Sequence, residues 1–202
     1  KEVQEGDLSK ADVSINFSVP SAAVNNILKS FECKVPVVCG TTGWLNDFDK
    51  IKKYCEERKT AFIYSSNFSF GVNIFFKVNQ YLASIMNKYD SPYEISIEET
   101  HHNEKLDSPS GTAITLADDI IDKNNSYENW TKTKKSKSIL MISKRKNKKV
   151  GVHNVSFQSQ FDKITIKHEA FSRDAFAKGS LIAAKWIKNK RGVFNMNDIL
   201  DF

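Results

Sequence analysis

The sequence has few of the features that mark secreted, membrane or zinc-binding proteins. Its three cysteines, Cys33, Cys39 and Cys55, show no C-x-x-C spacing and are an odd number. This pattern argues against a disulfide framework and a zinc site, so we expect reduced, partly buried thiols. No apolar run approaches the roughly 18 residues of a membrane span, and no signal segment opens the chain. We therefore expect a cytoplasmic protein without a membrane partner.

Positive charge, in contrast, is in surplus. The 202 residues carry a net charge of +6, although 40% apolar and 27% charged residues are ordinary for a globular protein with ample core. Nine basic residues cluster in one short segment: Lys132, Lys134, Lys135, Lys137, Lys144, Arg145, Lys146, Lys148 and Lys149. The segment lacks interleaved aromatic residues and matches no nucleic-acid-binding motif. We expect a solvated surface that can attract a small anion, and no nucleic-acid partner.

The first seventy residues alternate between short apolar and amphipathic runs. They predict strands at 13–17, 35–39 and 61–64, with a helix capped by Ser21 and another at 46–59. This order is typical of a parallel sheet with covering helices, in which ligands bind beyond the carboxyl ends of the strands. The residues that follow the three strands are mostly small or polar. A ligand cleft along this edge is the prediction.

From residue 71 the pattern changes. It predicts helices at 71–87, 113–122 and 174–190, the second capped by Ser110 or Thr112, and strands at 93–97, 138–143, 153–161 and 163–169. The strand 153–161 places Val155, Phe157 and Phe161 on one face and polar residues on the other, as in an open sheet that packs against another copy of itself. On the strand 163–169, His168 shares a face with Ile164 and Ile166, which predicts a core histidine. The role of His153 stays open.

Residues 98–113 connect a predicted strand to a predicted helix and carry most of the chemistry. The adjacent His101 and His102 point in opposite directions in an extended loop, so no metal site is predicted. Ser110 lies in neither a G-x-S-x-G nor an S-x-x-K motif, which argues against a serine nucleophile. Imidazole with Lys105 suits acid/base chemistry, and a helix start at 110–112 suits a carboxylate. A solvated charged loop that ends in a capping turn is the remaining alternative.

These residues resemble a known family. The stretch 99–113, E-x-H-H-x-x-K-x-D-x-P-S-G-T-A, resembles the signature loop of the 4-hydroxy-tetrahydrodipicolinate reductase (dihydrodipicolinate reductase) family of lysine and diaminopimelate biosynthesis. Further support comes from residues 13–20, 40–44 (GTTGW), 67–73 (NFSFGVN), 172–176 (SRDAF) and 192–200. The resemblance covers essentially the whole chain.

The resemblance implies roles for particular residues. His101 and Lys105 would be catalytic, as the acid/base and as the proton donor or carboxylate partner. The dicarboxylate substrate would be bound by His102, Ser110, Gly111, Thr112 and Arg173. The nicotinamide cofactor, NADH or NADPH, would contact Phe17, Gly40, Thr41, Thr42, Ser65, Ser66, Asn67 and Phe68. No metal is implied, and the family assembles as a homotetramer through the sheet of its second lobe.

The resemblance also implies the fold, α/β with two lobes. Residues 1–68 and 173–202 would form a Rossmann-like lobe with a parallel sheet, and residues 69–172 an α+β lobe for substrate binding and oligomerisation with an open mixed sheet. The sequence lacks the G-x-G-x-x-G turn and the later residue that selects NAD or NADP. By comparison with that βαβ unit, roughly 35 to 40 residues are missing. We expect an omission from the sequence, since the later strand ends are intact.

An alternative function belongs to a different class. A catalytically inactive, reductase-like module could bind an anionic ligand or nucleic acid through the basic segment at 132–149. A glycine-rich turn upstream of Lys1 would favour the enzyme, whereas salt-sensitive binding of DNA or RNA would be needed for the binding module.

Overall fold

The structure, a computed structural model, describes residues 8, 10–88 and 93–201. The chain divides into two compact units, Lys1–Asn73 with Asp174–Phe202, and Ile74–Arg173. Among the helices described, none combines the length and apolarity needed to cross a membrane. In chain order the strands are β1 Ser14–Asn16, β2 Val37–Cys39, β3 Ala61–Tyr64, β4 Glu94–His101, β5 Asn129–Thr131, β6 Ser138–Arg145, β7 Gly151–Gln158, β8 Lys163–Ala170 and β9 Gly192–Phe194. The helices are α1 Pro20–Glu32, α2 Phe48–Glu57, α3 Phe70–Met86, α4 Gly111–Lys123, α5 Asp174–Ile187 and α6 Met196–Leu200.

The first unit contains a four-stranded sheet in the order β1-β2-β3-β9, and every neighbouring pair is parallel. Apolar side chains cover both faces, as a parallel sheet requires. The predicted cap at Ser21 is wrong, because Ser21 lies inside α1, which begins at Pro20, and the N-cap, Val19, makes no side-chain cap bond. Proline fits the first helical position since its missing N–H would have no partner there.

The second unit contains a five-stranded mixed sheet in the order β5-β6-β4-β7-β8, with β4 parallel to β6 and antiparallel to β7. Helices α3 and α4 pack on one face through a buried apolar cluster that includes Phe75, Leu116 and Ile120. The parallel sheet of the first unit and the mixed sheet of the second confirm the predicted α/β class.

The predicted strand 153–161 is shifted toward its N-terminus. Strand β7 runs from Gly151 to Gln158, and Phe161 lies in the following turn with 86% of its surface exposed. In that turn the Ser159 hydroxyl accepts hydrogen bonds from the backbone N–H groups of Phe161 and Asp162. A side chain that binds nearby backbone competes with strand pairing, so the alternation stops before Phe161.

The prediction for the three cysteines is confirmed, and the prediction for His168 is confirmed only in part. Within the described residues all three cysteines are free, with Cys39 and Cys55 buried, as predicted. Burial raises the pKa of Cys55 to about 12. His168 is only half-buried and Ile164 is exposed, so the predicted core histidine is correct only in part. Its ring lies 5.9 Å from that of Phe75, and burial lowers its pKa.

Candidate active site

Strand β4 carries apolar and chemically active residues on the same face. Alternation buries Ile95, Ile97, Glu99 and His101 and leaves the residues between them more exposed. The prediction that the strand ends at Ile97 is therefore wrong by four residues. On the helix-covered face of β4, the apolar core residues are therefore followed by the carboxylate of Glu99 and the imidazole of His101.

Neighbouring strands bring partners to this face. In the sheet register Glu99 lies opposite Ser143 and His153, and His101 lies opposite Arg145. The rings of His101 and His153 meet edge-on, with centroids 5.0 Å apart. We call Glu99, His101, Arg145, His153 and Ser110 the acid/base cluster.

Glu99 is a buried anion with two positive or polar partners. One carboxylate oxygen pairs with the Arg145 guanidinium at 3.2 Å, and the other contacts Nδ1 of His101. Burial raises the pKa of Glu99, but hydrogen bonds from His101 and Arg145 outweigh that effect and lower it to about 2. Glu99 is therefore ionised at neutral pH although its side chain is fully enclosed.

Arg145 also fixes the loop that follows β4. Its Nη2 donates to the carbonyl oxygen of Asp107 at 2.7 Å, and its Nε donates to that of Lys105 at 3.4 Å. One guanidinium thus joins the buried Glu99 to the backbone around Lys105. An arginine suits this role because its guanidinium is planar and has five N–H donors.

The predicted catalytic lysine lies on this loop. Lys105 is 22% exposed and donates to the Asp107 carboxylate at 2.7 Å, which lowers the pKa of Asp107. His102 is half-buried, and its carbonyl accepts the backbone N–H of Lys105 at 3.3 Å. Because His102 follows the inward-pointing His101 on an extended strand, its side chain starts from the opposite face.

Ser110 joins helix α4 to the cluster. It is buried at the N-cap, where its hydroxyl oxygen accepts the N–H of Ala113 at 3.2 Å, as predicted for a cap. The same hydroxyl lies 3.1 Å from Nε2 of His153. Burial and the neighbouring His101 charge lower the pKa of His153 to about 3, so this hydrogen bond joins the Ser110 hydroxyl to a neutral ring.

The next two residues leave the helix start open. Gly111 is exposed, and a Cβ built there would meet no other atom of the described structure within 4 Å. Thr112 is half-exposed. The first N–H groups of a 13-residue helix therefore have accessible space in front of them, together with the positive end of the helix dipole. This arrangement can bind a carboxylate.

The buried neutral His153 makes stability depend on pH. Its folded-state pKa is about 3 against an ordinary value near 6.5, so stability is complete above pH 6.5 and is lost as pH falls toward 3. We expect the His153→Gln variant to have a lower free energy of unfolding than the wild type at pH 7.5. This difference, the gap, should narrow by up to about 1.4 kcal/mol per pH unit below pH 6.5. Urea unfolding from pH 7.5 to 4 measures the gap. A constant gap would contradict a neutral buried ring.

The cluster also has the composition of a metal site. Ligand atoms of Glu99, His101 and His153 lie within 4.8 Å of one another and all three residues are buried. The metal site weighed from the sequence combines His101 and His102 with Glu98 or Glu99, and it lacks the histidine that β7 supplies. However, both carboxylate oxygens already have partners and the guanidinium supplies the positive charge. The geometry favours a hydrogen-bonded acid/base network, and the predicted lack of a metal stays a prediction.

Three members of the cluster were given no role from the sequence. Glu99 belongs to the signature stretch, and an alternation count continued past Ile97 would have placed it beside His101. Arg145 was counted with the surface lysines, and His153 was left open. Both reach the cluster through pairings of β6 and β7 with β4, and a single sequence carries no local signal for these pairings.

In the first unit, the predicted cofactor residues lie at the carboxyl ends of β1, β2 and β3. A cavity of about 180 Å³ is lined by Phe17, Ser18, Pro20, Gly40, Thr41 and Thr42. A Cβ at Gly40 would lie 2.1 Å from the Phe17 ring, so this ring lies directly against bare backbone. The hydroxyl of Thr41 accepts the N–H of Ser18 at 2.9 Å and ties the first two strand ends together.

The third strand end forms a tight turn. The hydroxyl of Ser65 donates to the carbonyl of Asn67 at 2.7 Å, and Asn73 donates to the same carbonyl at 2.9 Å. The Phe68 ring is buried against Phe17, with centroids 5.7 Å apart, so only its backbone can meet a ligand. Ser66 is exposed.

Arg173 is not brought into contact with the acid/base cluster. Its side chain is exposed and has no hydrogen bond or ion pair within residues 8, 10–88 and 93–201. Its assignment to the substrate stays a prediction.

The basic segment is partly neutralised by neighbouring acids. Four of its lysines form ion pairs: Lys134 with Glu94, Lys137 with Glu128, Lys144 with Glu98, and Lys149 with Glu169. This pairing supports the interpretation of the segment as a solvated surface, and the binding-module alternative stays a prediction.

Comparisons with known proteins agree with this geometry. Two family models match, "Dihydrodipicolinate reductase, N-terminus" at residues 2–68 and "Dihydrodipicolinate reductase, C-terminus" at residues 71–200. A 4-hydroxy-tetrahydrodipicolinate reductase of Christiangramia forsetii is 46% identical over 98% of this chain and 84% of its own length. One from Archaeoglobus fulgidus is 38% identical over 98% of this chain and 79% of its own length.

A solved structure has the same fold. A dihydrodipicolinate reductase from Paenisporosarcina sp. TG-14, with dipicolinate bound, superposes with a TM-score of 0.76 and 22% identity. The match covers 92% of this chain and 72% of that one.

Proposed function

Because the chain belongs to the dihydrodipicolinate reductase family, a family of oxidoreductases, we propose that it reduces 4-hydroxy-tetrahydrodipicolinate to tetrahydrodipicolinate with NADH or NADPH. The reaction adds a hydride to the ring of a dicarboxylate and releases water. It would serve lysine and diaminopimelate biosynthesis. The observation that carries the proposal is the buried cluster around His101, next to an open helix N-terminus and Lys105.

The substrate's charge suits this site. One carboxylate would bind at the start of α4, where the backbone N–H groups after Ser110 and the Thr112 hydroxyl are accessible. Lys105 and His102 would bind the other, and Arg173 is proposed to add a further positive charge. The solved relative that holds dipicolinate, a planar ring with two carboxylates, supports a ligand of this class.

The residues of the first unit fit a nicotinamide. Phe17 offers an exposed ring against the bare backbone of Gly40, and Thr41 and Thr42 line the same small cavity. We propose that the strand ends at 17, 40–42 and 65–68 hold the cofactor, which supplies the hydride when bound. Initial rates with NADH and with NADPH compare the two cofactors.

The acid/base cluster would supply the proton. Addition of hydride to the ring leaves negative charge on the substrate, and a positioned donor stabilises that charge as it develops. We assign the donor to His101, with Lys105 as its cationic partner. The helix-covered face excludes water from Glu99 and His153, so the cluster keeps its arrangement.

We also propose assembly as a homotetramer in the cytoplasm. The face of the second sheet opposite α3 and α4 carries polar and charged residues such as Glu98, Thr100 and Asn154, and an open groove of about 600 Å³ lies on it. A half-polar open sheet of this kind suits packing against another copy. Light scattering of the purified protein gives the assembly size.

The reductase assignment is tested by cofactor consumption. The protein, given freshly made 4-hydroxy-tetrahydrodipicolinate, should oxidise NADH or NADPH, with a loss of absorbance at the nicotinamide band. Absence of oxidation with either cofactor would overturn the assignment. Dipicolinate should inhibit competitively with the substrate.

Gly111 offers a test of the carboxylate site. A methyl group there meets no atom of the described chain but enters the space in front of the α4 N-terminus. We expect Gly111→Ala to raise KM about 10-fold or more, while stability holds or rises because alanine favours helix by about 1 kcal/mol. The matched control is Asp118→Ala, an exposed position later in α4. Equal KM values in the two variants would remove the carboxylate site from the helix start.

A further inference from the structure

We propose that Glu99, held by Arg145, is a positioning residue that fixes the His101 imidazole with a proton on Nδ1, so that Nε2 exchanges a proton with the substrate. The inference rests on the proposed function and deepens it, because the family resemblance and the predictions from sequence gave Glu99 no role.

The first support is the geometry of the pair. Nδ1 of His101 contacts a Glu99 oxygen directly, and both groups are almost completely enclosed. A carboxylate can only accept a hydrogen bond, so the contact requires a proton on Nδ1. The other Glu99 oxygen is held by Arg145, which keeps the carboxylate from rotating away.

The second support is the environment of the other ring nitrogen. Nε2 of His101 has no hydrogen bond within the described part of the chain, and it lies beside Gly151. A Cβ at position 151 would be 3.1 Å from Nε2, which is tighter than ordinary contact. Glycine at this position keeps space beside the nitrogen that the substrate would meet.

The third support is the set of charges around the ring. Arg145 lies opposite His101 on β6, the His153 ring meets it edge-on from β7, Lys105 follows on the next loop with Asp107 bound to it, and His168 lies opposite His153 on β8. Helix α4 contributes Ser110, whose hydroxyl is turned to His153. Glu99 is therefore the anion in contact with His101.

The proton step balances simply. The Nε2–H bond of the imidazolium breaks, and its proton goes to the substrate atom that has gained an electron pair from hydride addition. His101 is left neutral with its proton still on Nδ1, in contact with Glu99. A proton from solvent returns the ring to its starting state.

The substitution Glu99→Gln tests the role. Glutamine keeps the shape but loses the charge, and its amide can present N–H₂ or C=O to Nδ1. We expect kcat to fall about 10- to 100-fold, as for loss of residues that orient a histidine, with KM within about 3-fold. The high-pH limb of the kcat profile should move to lower pH, because the imidazolium loses its anion. A merely structural role would change stability without moving that limb.

The chain offers a matched control. Glu98 adjoins Glu99 on β4 but lies on the opposite face, where it pairs with Lys144. Glu98→Gln should leave kcat and its pH profile unchanged. Equal profiles for wild type, Glu98→Gln and Glu99→Gln would overturn the proposal.

A spectroscopic measurement on the wild-type protein keeps the proposal testable if Glu99→Gln does not fold. Two-bond ¹H–¹⁵N spectra of the four histidines, assigned with single His→Gln variants, report which ring nitrogen carries the proton. We expect the neutral His101 ring to be protonated on Nδ1. A proton on Nε2 in a protein that still turns over substrate would refute the inference alone, whereas lack of turnover with the expected tautomer would refute the proposed function.

Discussion

Replacing Lys105 with alanine should lower kcat by about 10²- to 10⁴-fold, the range for disabling a proton-transfer group, because the His101 donor loses its cationic partner. Lys105 is also proposed to bind a substrate carboxylate, so KM should rise as well. His101→Ala should also reduce turnover strongly, by no more than Lys105→Ala. Steady-state kinetics with saturating NADH or NADPH measure both variants.

A second lysine provides the control for Lys105→Ala. Lys132 donates to the carbonyl of Ser108 in the same loop but is exposed and distant in sequence from the signature stretch. Lys132→Ala should keep wild-type kinetics, and both variants should unfold near the wild-type temperature since neither lysine is part of the core. Wild-type kcat in Lys105→Ala would remove Lys105 from the chemistry.

The Arg145→Met variant should lose about 3–5 kcal/mol of unfolding free energy, the range for removing one partner of a buried ion pair. It leaves the Glu99 carboxylate enclosed with one partner fewer, and it frees the carbonyls of Lys105 and Asp107. Activity should fall too, since the loop that carries Lys105 loses its anchor. Urea unfolding at pH 7.5 gives the free energy.

The neighbouring residue of β6 supplies the comparison. Lys144 forms an exposed pair with Glu98, and such pairs contribute about 0–1 kcal/mol. Lys144→Met should therefore be nearly neutral. Equal unfolding free energies for Arg145→Met and Lys144→Met would show that Arg145 does not stabilise the buried Glu99 carboxylate.

What the sequence predicts well is what it encodes locally. The helix α4 follows from an apolar stripe and is confirmed, and of the two predicted caps, Ser110 and Thr112, Ser110 is the one observed. The parallel sheet of the first unit follows from alternating apolar runs with polar ends. Strand β3 was predicted with its observed bounds because four apolar residues are flanked by turn residues.

The errors have two physical sources. The predicted strand stops at Ile97 because the next inward residues of β4, Glu99 and His101, are charged or polar. Burial of such groups depends on partners that lie far away in the sequence. The three-residue strands β5 and β9 were missed because so few residues show no periodicity. Arg145 illustrates both sources, since only the β4–β6 pairing distinguishes it from its lysine neighbours.

Deuterium transfer tests the central claim most directly. The protein should be given 4-hydroxy-tetrahydrodipicolinate with NADH or NADPH carrying two deuterium atoms at C4 of the nicotinamide, and the product analysed by mass spectrometry. The account predicts tetrahydrodipicolinate one mass unit heavier than the product made with unlabelled cofactor. Product without deuterium, or no product with either cofactor, would contradict it.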